Sequence, residues 1–180
     1  MNVPYVVFRL ATATDAARLS AFARHAFEDW YGPLNDPEDM RLHLQETFSP
    51  QKQAAELESP RHWYLLAESD GHIVAYALVE EHSPEPSAAA QDPAQIARFY
   101  LDRAWHGSGL AARLMQATLE RIAARGADAA WLTAWTENPR AVRFYEKCGF
   151  VRTGTTIFNL GRSPQTDHVL TRTLTPHDRS

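Results

Sequence analysis

Residues 106 to 111, His106-Gly107-Ser108-Gly109-Leu110-Ala111, stand between an apolar segment and a helical pattern. A helix start leaves backbone N–H groups without intrahelical partners and carries the positive end of the helix dipole. Glycines at 107 and 109 let an anion approach those N–H groups, while Ser108 and His106 add side-chain donors. The chemistry this suits is the binding of a diphosphate. A tight strand-to-helix turn, with glycines for geometry alone, explains the same residues. The stretch from Gly107 to Ala112 also matches G-x-G-x-x-A, the dinucleotide fingerprint, with Asp128 near the distance of its acid. That fingerprint follows its strand at once, in the first strand–helix unit. Here Asp102 to His106 intervene and a hairpin precedes the unit.

A second constellation runs from Glu137 to Phe150, "ENPRAVRFYEKCGF". It offers an Asn-Pro helix start, a tyrosine phenol at 145 and a closing Gly149-Phe150. Together the two stretches resemble the GCN5-related N-acetyltransferase (GNAT) superfamily. That family carries Arg/Gln-x-x-Gly-x-Gly/Ala at the helix after its fourth strand. His106 stands here in place of the Arg or Gln, with Gly109 and Ala111 matching. Its later signature is matched at Asn138, Ala141, Tyr145, Gly149 and Phe150. The motifs lie between Ile96 and Phe150, and the order of elements extends the resemblance over most of the chain. The resemblance to bacterial polyamine acetyltransferases is looser.

The resemblance implies that acetyl-CoA binds where two neighbouring parallel strands splay apart, here 96–101 and 129–135. The pantetheine arm would pair with backbone groups of Phe99 and Leu101. The diphosphate would lie on the N–H groups from Gly107 through Ser108, Gly109 and Leu110 to Ala111, beside His106. Asn138 would touch the cofactor arm, and Tyr145 would place its phenol near the thioester sulfur. Direct transfer to a primary amine sets three chemical demands. The amine, with a free pKa of about 10.4, must lose a proton. The thioester oxygen needs a donor as charge develops, for which the N–H of Phe99 or Tyr100 is available. The departing thiolate needs a proton, which Tyr145 can supply as general acid. Many relatives carry a Glu base at the start of the fourth strand. Gln95 stands there and cannot accept a proton, so Glu80 or Glu81 are the substitutes, unless ordered water serves. The missing Glu keeps open a non-catalytic acyl-CoA-binding module.

Other residues have plainer readings. Arg143 and Lys147 can reach a nucleotide phosphate or simply solvate a helix. Glu28, Asp29, Asp36, Glu38, Asp39 and Glu46, with one base, Arg41, among them, would attract a cationic acceptor. Capping and solvation already explain Asp36, Glu38 and Asp39. Trp30, Tyr31, Trp63 and Trp135 can wall an acceptor pocket or fill a core. Cys148, the only cysteine, excludes an internal disulfide and reads as a packed thiol. The eight histidines show no metal spacing, and no metal is expected.

The elements that must hold these groups follow from period and turn signals. Strands are expected over 5–10, 63–68, 73–80, 96–101, 129–135, 151–160 and 168–174. Helices are expected after the Thr12–Asp15 capping box, after Asp36-Pro37, in a short stretch from Pro50 to Leu57, over 110–126 and from Asn138 to Lys147. Asp70-Gly71 marks a hairpin, residues 82–93 a surface loop, and Gly161-Arg162-Ser163-Pro164 a turn. The order β-α-α-β-β-β-α-β-α-β-β predicts an α/β (α+β) fold with a mixed sheet, since the hairpin is antiparallel and the 96–135 crossover parallel. A length of 180 residues suits a single domain, 1–180, with a core over about 5–174. A net charge of −4 excludes a nucleic-acid footprint. No apolar run spans a bilayer and no leader pattern opens the chain, so no membrane partner and a cytoplasmic setting are expected. A small amine or peptide is the expected partner, to a monomer or homodimer.

Overall fold

The computed structural model describes residues 5–175. Its strands are β1 (Val7–Leu10), β2 (His62–Ser69), β3 (His72–Glu80), β4 (Pro93–Leu101), β5 (Ala129–Trp135), β6 (Val151–Leu160) and β7 (Ser163–Thr173). Its helices are α1 (Ala16–Tyr31), α2 (Pro37–Phe48), α3 (Pro50–Glu58), α4 (Leu110–Ala124) and α5 (Pro139–Lys147). The strands form one mixed sheet in the order β1-β2-β3-β4-β5-β7-β6, with β4 and β5 the parallel pair.

Two apolar clusters cover the two faces. One joins α4 and α5 to the sheet through Leu110, Leu114, Leu119, Val142, Phe150, Leu132 and Leu170. The other joins α1 and α2 through Leu19, Phe27, Met40, Leu44, Phe48, Tyr64 and Tyr76. The alternation of β-strand side chains sorts the residues between these layers. Residues Leu132 and Ala134 of β5 face α4 and α5, which leaves Thr133 and Trp135 on the α1 side.

Local chemistry fixes the helix starts. Asp36 caps α2 by accepting from the N–H groups of Glu38 and Asp39 at 2.9 and 3.1 Å. Ser49 caps α3, and a proline follows each of these caps. Asp39 also binds Arg162, which pins α2 to the β6–β7 turn. The approach is so close that a Cβ on Gly161 would lie 2.7 Å from the Asp39 Cα.

Several boundaries differ from expectation. β1 starts at Val7, not Tyr5, whose side chain is exposed. β4 starts at Pro93, where the loop was expected to end, because Pro93 and Ala94 pair with Ala129 and Ala130. β7 starts at Ser163, not His168. The turn is only Gly161-Arg162, and Ser163 and Pro164 already pair with Leu160 and Asn159.

Candidate active site

The parallel contact between β4 and β5 is short. Pro93, Ala94 and Gln95 pair with Ala129, Ala130 and Trp131, and the pairing stops there. A register shift between Leu78 and Val79 leaves Ala97 as an extra residue in β4, and a bulge of this kind bends its strand. From that point β4 follows β3 while β5 follows β7, so a gap opens in the sheet. The Asp102 N–H donates to the Val74 carbonyl at 2.9 Å, on the β3 side. Backbone groups alternate in direction along a strand, so those of Phe99 and Leu101 face the gap and those of Tyr100 face β3. The Leu101 backbone lies within hydrogen-bonding reach of the His106 ring.

A glycine turn stands at one end of the gap. Gly107 and Gly109 have φ of 79° and 82°, a region that L side chains avoid. A Cβ built on either would meet no atom within 4 Å. The glycines therefore serve the backbone path, and the space beside them is open. The first α4 backbone bond runs from the Arg113 N–H to the Gly109 carbonyl at 3.2 Å. The N–H groups of Ala111 and Ala112 precede it and point out of the helix end. This is a cradle that fits a diphosphate. Ser108 contributes to its shape: the hydroxyl donates to the Trp105 carbonyl at 2.6 Å and accepts from the Leu110 N–H at 3.3 Å. Leu110 is buried in the core, so its side chain anchors α4 beneath the cradle.

The gap opens into a cavity on each side. The larger, of about 440 Å³, takes in the glycine turn, Phe99, Leu101, Ala112, Arg140 and Phe144. The smaller, of about 120 Å³, takes in Phe27, Arg98, Thr133, Trp135, Phe158 and Asp167. Both are lined by Tyr31, Phe99, Tyr100, Asn138, Ala141 and Tyr145, so these residues surround the passage between them. Asn138 caps α5 by accepting from the Ala141 N–H at 3.1 Å, and its side chain lies within hydrogen-bonding reach of the Tyr31 phenol. The Tyr145 ring meets the Phe99 ring edge-on, with centroids 6.3 Å apart. Burial, with Tyr31 and Cys148 nearby, pushes the Tyr145 phenol above its ordinary pKa, so it keeps its proton at neutral pH.

The acetyltransferase (GNAT) family model matches residues 21–150, which include the gap, the glycine turn and α5. The chain belongs to the GNAT family of acetyltransferases. It is 35% identical to an uncharacterized N-acetyltransferase of Mycobacterium tuberculosis over 161 residues, 89% of this chain and 99% of that protein. A second uncharacterized N-acetyltransferase, from Lactobacillus delbrueckii subsp. lactis, is 28% identical over 89% of this chain and 92% of its own length. The fold is similar to the PaiA N-acetyltransferase of Thermoplasma acidophilum, solved in complex with coenzyme A. The TM-score is 0.73 and identity 16%, covering 94% of this chain and 99% of that one. A GCN5-related N-acetyltransferase from Rhodopseudomonas palustris gives a TM-score of 0.73 at 20% identity, over 97% and 98% of the two chains.

In this acetyltransferase most of the sequence-derived candidates converge. Phe99, Tyr100, Leu101, His106, Gly107, Gly109, Ala111, Asn138 and Tyr145 all line the larger cavity. Ser108 and Leu110 stand behind it in the turn. Trp30 lines it too, with the His106 ring stacked at 5.0 Å and the Arg103 and Arg140 guanidinium groups within 4.9 and 5.5 Å of its ring. Tyr31 and Trp135 wall the smaller cavity, whereas Trp63 lies elsewhere, beneath Arg125.

The base candidates lie away from the passage. Glu80 pairs with Arg61 at 3.0 Å. Glu81 accepts from the Trp63 indole at 2.9 Å and pairs with Arg125 at 3.1 Å. Neither lines the gap cavities, and neither does Gln95, which sits where β4 and β5 still pair. Four of the six acids between residues 28 and 46 are also engaged elsewhere. Asp29 pairs with Arg103, Glu38 with Arg41 and Asp39 with Arg162, and Asp36 is a helix cap. Arg143 and Lys147 are exposed on α5 and line neither cavity. Among the lining residues not singled out from sequence are Arg140, in the helix that carries Tyr145, and Asp167 on β7. Arg140 follows the Asn138-Pro139 cap directly, a position that puts it at the cleft mouth. Asp167 carries no comparable motif.

Proposed function

We propose that the protein moves the acetyl group of acetyl-CoA directly to a primary amine of a small molecule or peptide. The observation that carries this reading is the passage through the sheet. A thioester carrier held along β4 and an acceptor in the smaller cavity meet at residues common to both cavities. Direct transfer is supported by the chain's only thiol. Cys148 is half-buried, burial pushes its pKa up, and it lines neither cavity, so no cysteine is set to carry the acyl group.

The residues divide the work by position. Backbone groups of Phe99 and Leu101 hold the pantetheine arm as an added strand would, and the open N–H groups of the glycine turn hold the diphosphate. Arg140 at the cleft mouth adds a cation for the nucleotide phosphates. The Phe99 N–H, facing the gap, stabilises charge on the thioester oxygen; Tyr100, whose backbone faces β3, does not. Tyr145 retains its proton at neutral pH and delivers it to the departing sulfur. Tyr31, within hydrogen-bonding reach of Asn138, closes the passage from the α1 side.

A thiol-release assay with acetyl-CoA and a panel of primary amines, alcohols and thiols tests the reading. Turnover is expected with amines. Turnover confined to alcohols or thiols, or coenzyme A binding without turnover on any amine, contradicts it.

A further inference from the structure

The smaller cavity is lined by a buried carboxylate. Asp167 sits on β7, opposite Trp135 of β5 and Thr156 of β6. Its side chain is on the α1 face of the sheet with Thr133 and Trp135, and it lines the cavity. The residue is only 6% exposed, and its Oδ1 is buried with no hydrogen-bond partner among the described residues. The Thr133 hydroxyl lies within hydrogen-bonding reach of the carboxyl group. Burial raises the Asp167 pKa, against the opposing effects of Thr133 and the neighbouring His168.

Among the described residues, nothing on the cavity wall neutralises this charge. Arg98 lines the same cavity from β4, but its guanidinium holds Glu56 through two bonds of 2.8 Å and donates to the Tyr64 hydroxyl at 3.0 Å. The other titratable groups around the cavity are phenols, Tyr31 from α1, Tyr100 from β4 and Tyr145 from α5. A buried carboxylate without a cation is costly, and an uncharged isostere there would cost the fold less. A buried, perturbed carboxylate of this kind in a cleft marks a functional site.

We propose that the Asp167 carboxylate receives the acceptor's primary ammonium and takes its proton. This rests on the amine-acceptor reading above. Phe27, Tyr31, Trp135 and Phe158 line the same cavity, and an aromatic face turned toward a cation attracts it. One ammonium proton passes to Asp167, and the freed lone pair attacks the acetyl carbon. The C–N bond forms and the C–S bond breaks. Tyr145 gives its proton to the departing sulfur, the second nitrogen proton restores the Tyr145 phenol as the amide forms, and Asp167 then releases the first proton. The products are the N-acetyl amine, the free thiol and one proton released to solvent.

The cavity also selects among amines. Its volume of about 120 Å³ is somewhat below the ~150 Å³ of a cavity that holds benzene, so a slim acceptor group fits and a bulky one does not. A carboxylate next to the amine would be brought against Asp167, a like-charge contact. The acceptor class is therefore a slim primary amine with no adjacent carboxylate.

The test compares n-pentylamine with glycine in the wild type and in Asp167→Asn. For Asp167→Asn, kcat/KM with pentylamine is expected to fall by about 100-fold or more, as loss of a general base does. Coenzyme A affinity should hold within about twofold, and the melting temperature should stay or rise. Wild-type enzyme should prefer pentylamine to glycine strongly. A second measurement needs no variant: the Asp167 Cγ resonance in the coenzyme A complex should shift as pentylamine is added. If wild type acetylates pentylamine and Asp167→Asn does so equally well, or if the resonance stays fixed, Asp167 is not the receptor. Parity between pentylamine and glycine overturns the acceptor class. Absence of turnover with every amine in the wild type overturns the amine reading itself.

Discussion

Replacing Gly109 by alanine separates the cost of backbone strain from the loss of a binding surface. Gly109 has φ of 82°, and a Cβ there would meet no protein atom within 4 Å. The penalty to the fold is thus conformational alone, about 1–2 kcal/mol for an L-residue in the left-handed region. At about 2–4 °C per kcal/mol for a chain of this size, the melting temperature should drop by about 2–8 °C. Gly126, at the far end of α4, has φ of 102° and a Cβ there would also meet nothing within 4 Å. Gly126→Ala should lose similar stability. The two positions differ in what the methyl group faces. At 109 it enters the proposed diphosphate cradle and displaces at least one charge-assisted bond, worth about 1.5–3 kcal/mol. That corresponds to about 10- to 150-fold weaker coenzyme A binding. Calorimetric titration with coenzyme A, paired with thermal melts of both variants, reads the two effects. Unchanged affinity in Gly109→Ala, or equal losses in both variants, refutes the cradle.

Further outcomes follow from the same geometry. Tyr145→Phe should lower kcat by about 100-fold, within the range for a general acid, with coenzyme A affinity nearly intact; equal loss of both would make Tyr145 a contact for the carrier. Arg140→Gln should weaken coenzyme A binding and reduce its sensitivity to salt, without a change in melting temperature, since the side chain is exposed. Asp15 is held well below the carboxylate range, first by Arg9, which it meets at 2.8 Å. A depressed folded-state pKa gives stability that is present above the unfolded value and disappears as pH falls. Asp15→Asn should therefore flatten the acid limb of the melting curve, with wild type losing its advantage as pH drops from about 5 toward 2.

Much of this site was legible because its signals are local. Asn138-Pro139 announces a capped helix, and that cap alone sets the phase that turns Tyr145 into the passage. The glycines at 107 and 109 mark a backbone path few other residues can follow, and β5 and β6 carry apolar or β-branched runs that end at clear turns. What escaped depends on distant partners. Glu80 and Glu81 are plausible acids at a strand end until Arg61, Trp63 and Arg125 are brought beside them. Asp167 is one acid in the polar run Gln165-Thr166-Asp167-His168, which reads as turn rather than strand. Its burial is created by the neighbouring β6 together with β5 and α1, which lie far away in sequence. Pro93 hid the start of β4, because a proline that lacks an N–H can still open a strand.

Amide hydrogen exchange with and without coenzyme A tests the central claim most directly. If the open backbone of β4 and the glycine turn grip the carrier, the N–H groups of Phe99, Leu101, Gly109 and Ala111 should exchange about fivefold more slowly or better in the complex, the worth of about 1 kcal/mol per bond. Binding of coenzyme A that leaves these amides unchanged and protects others instead would contradict the account.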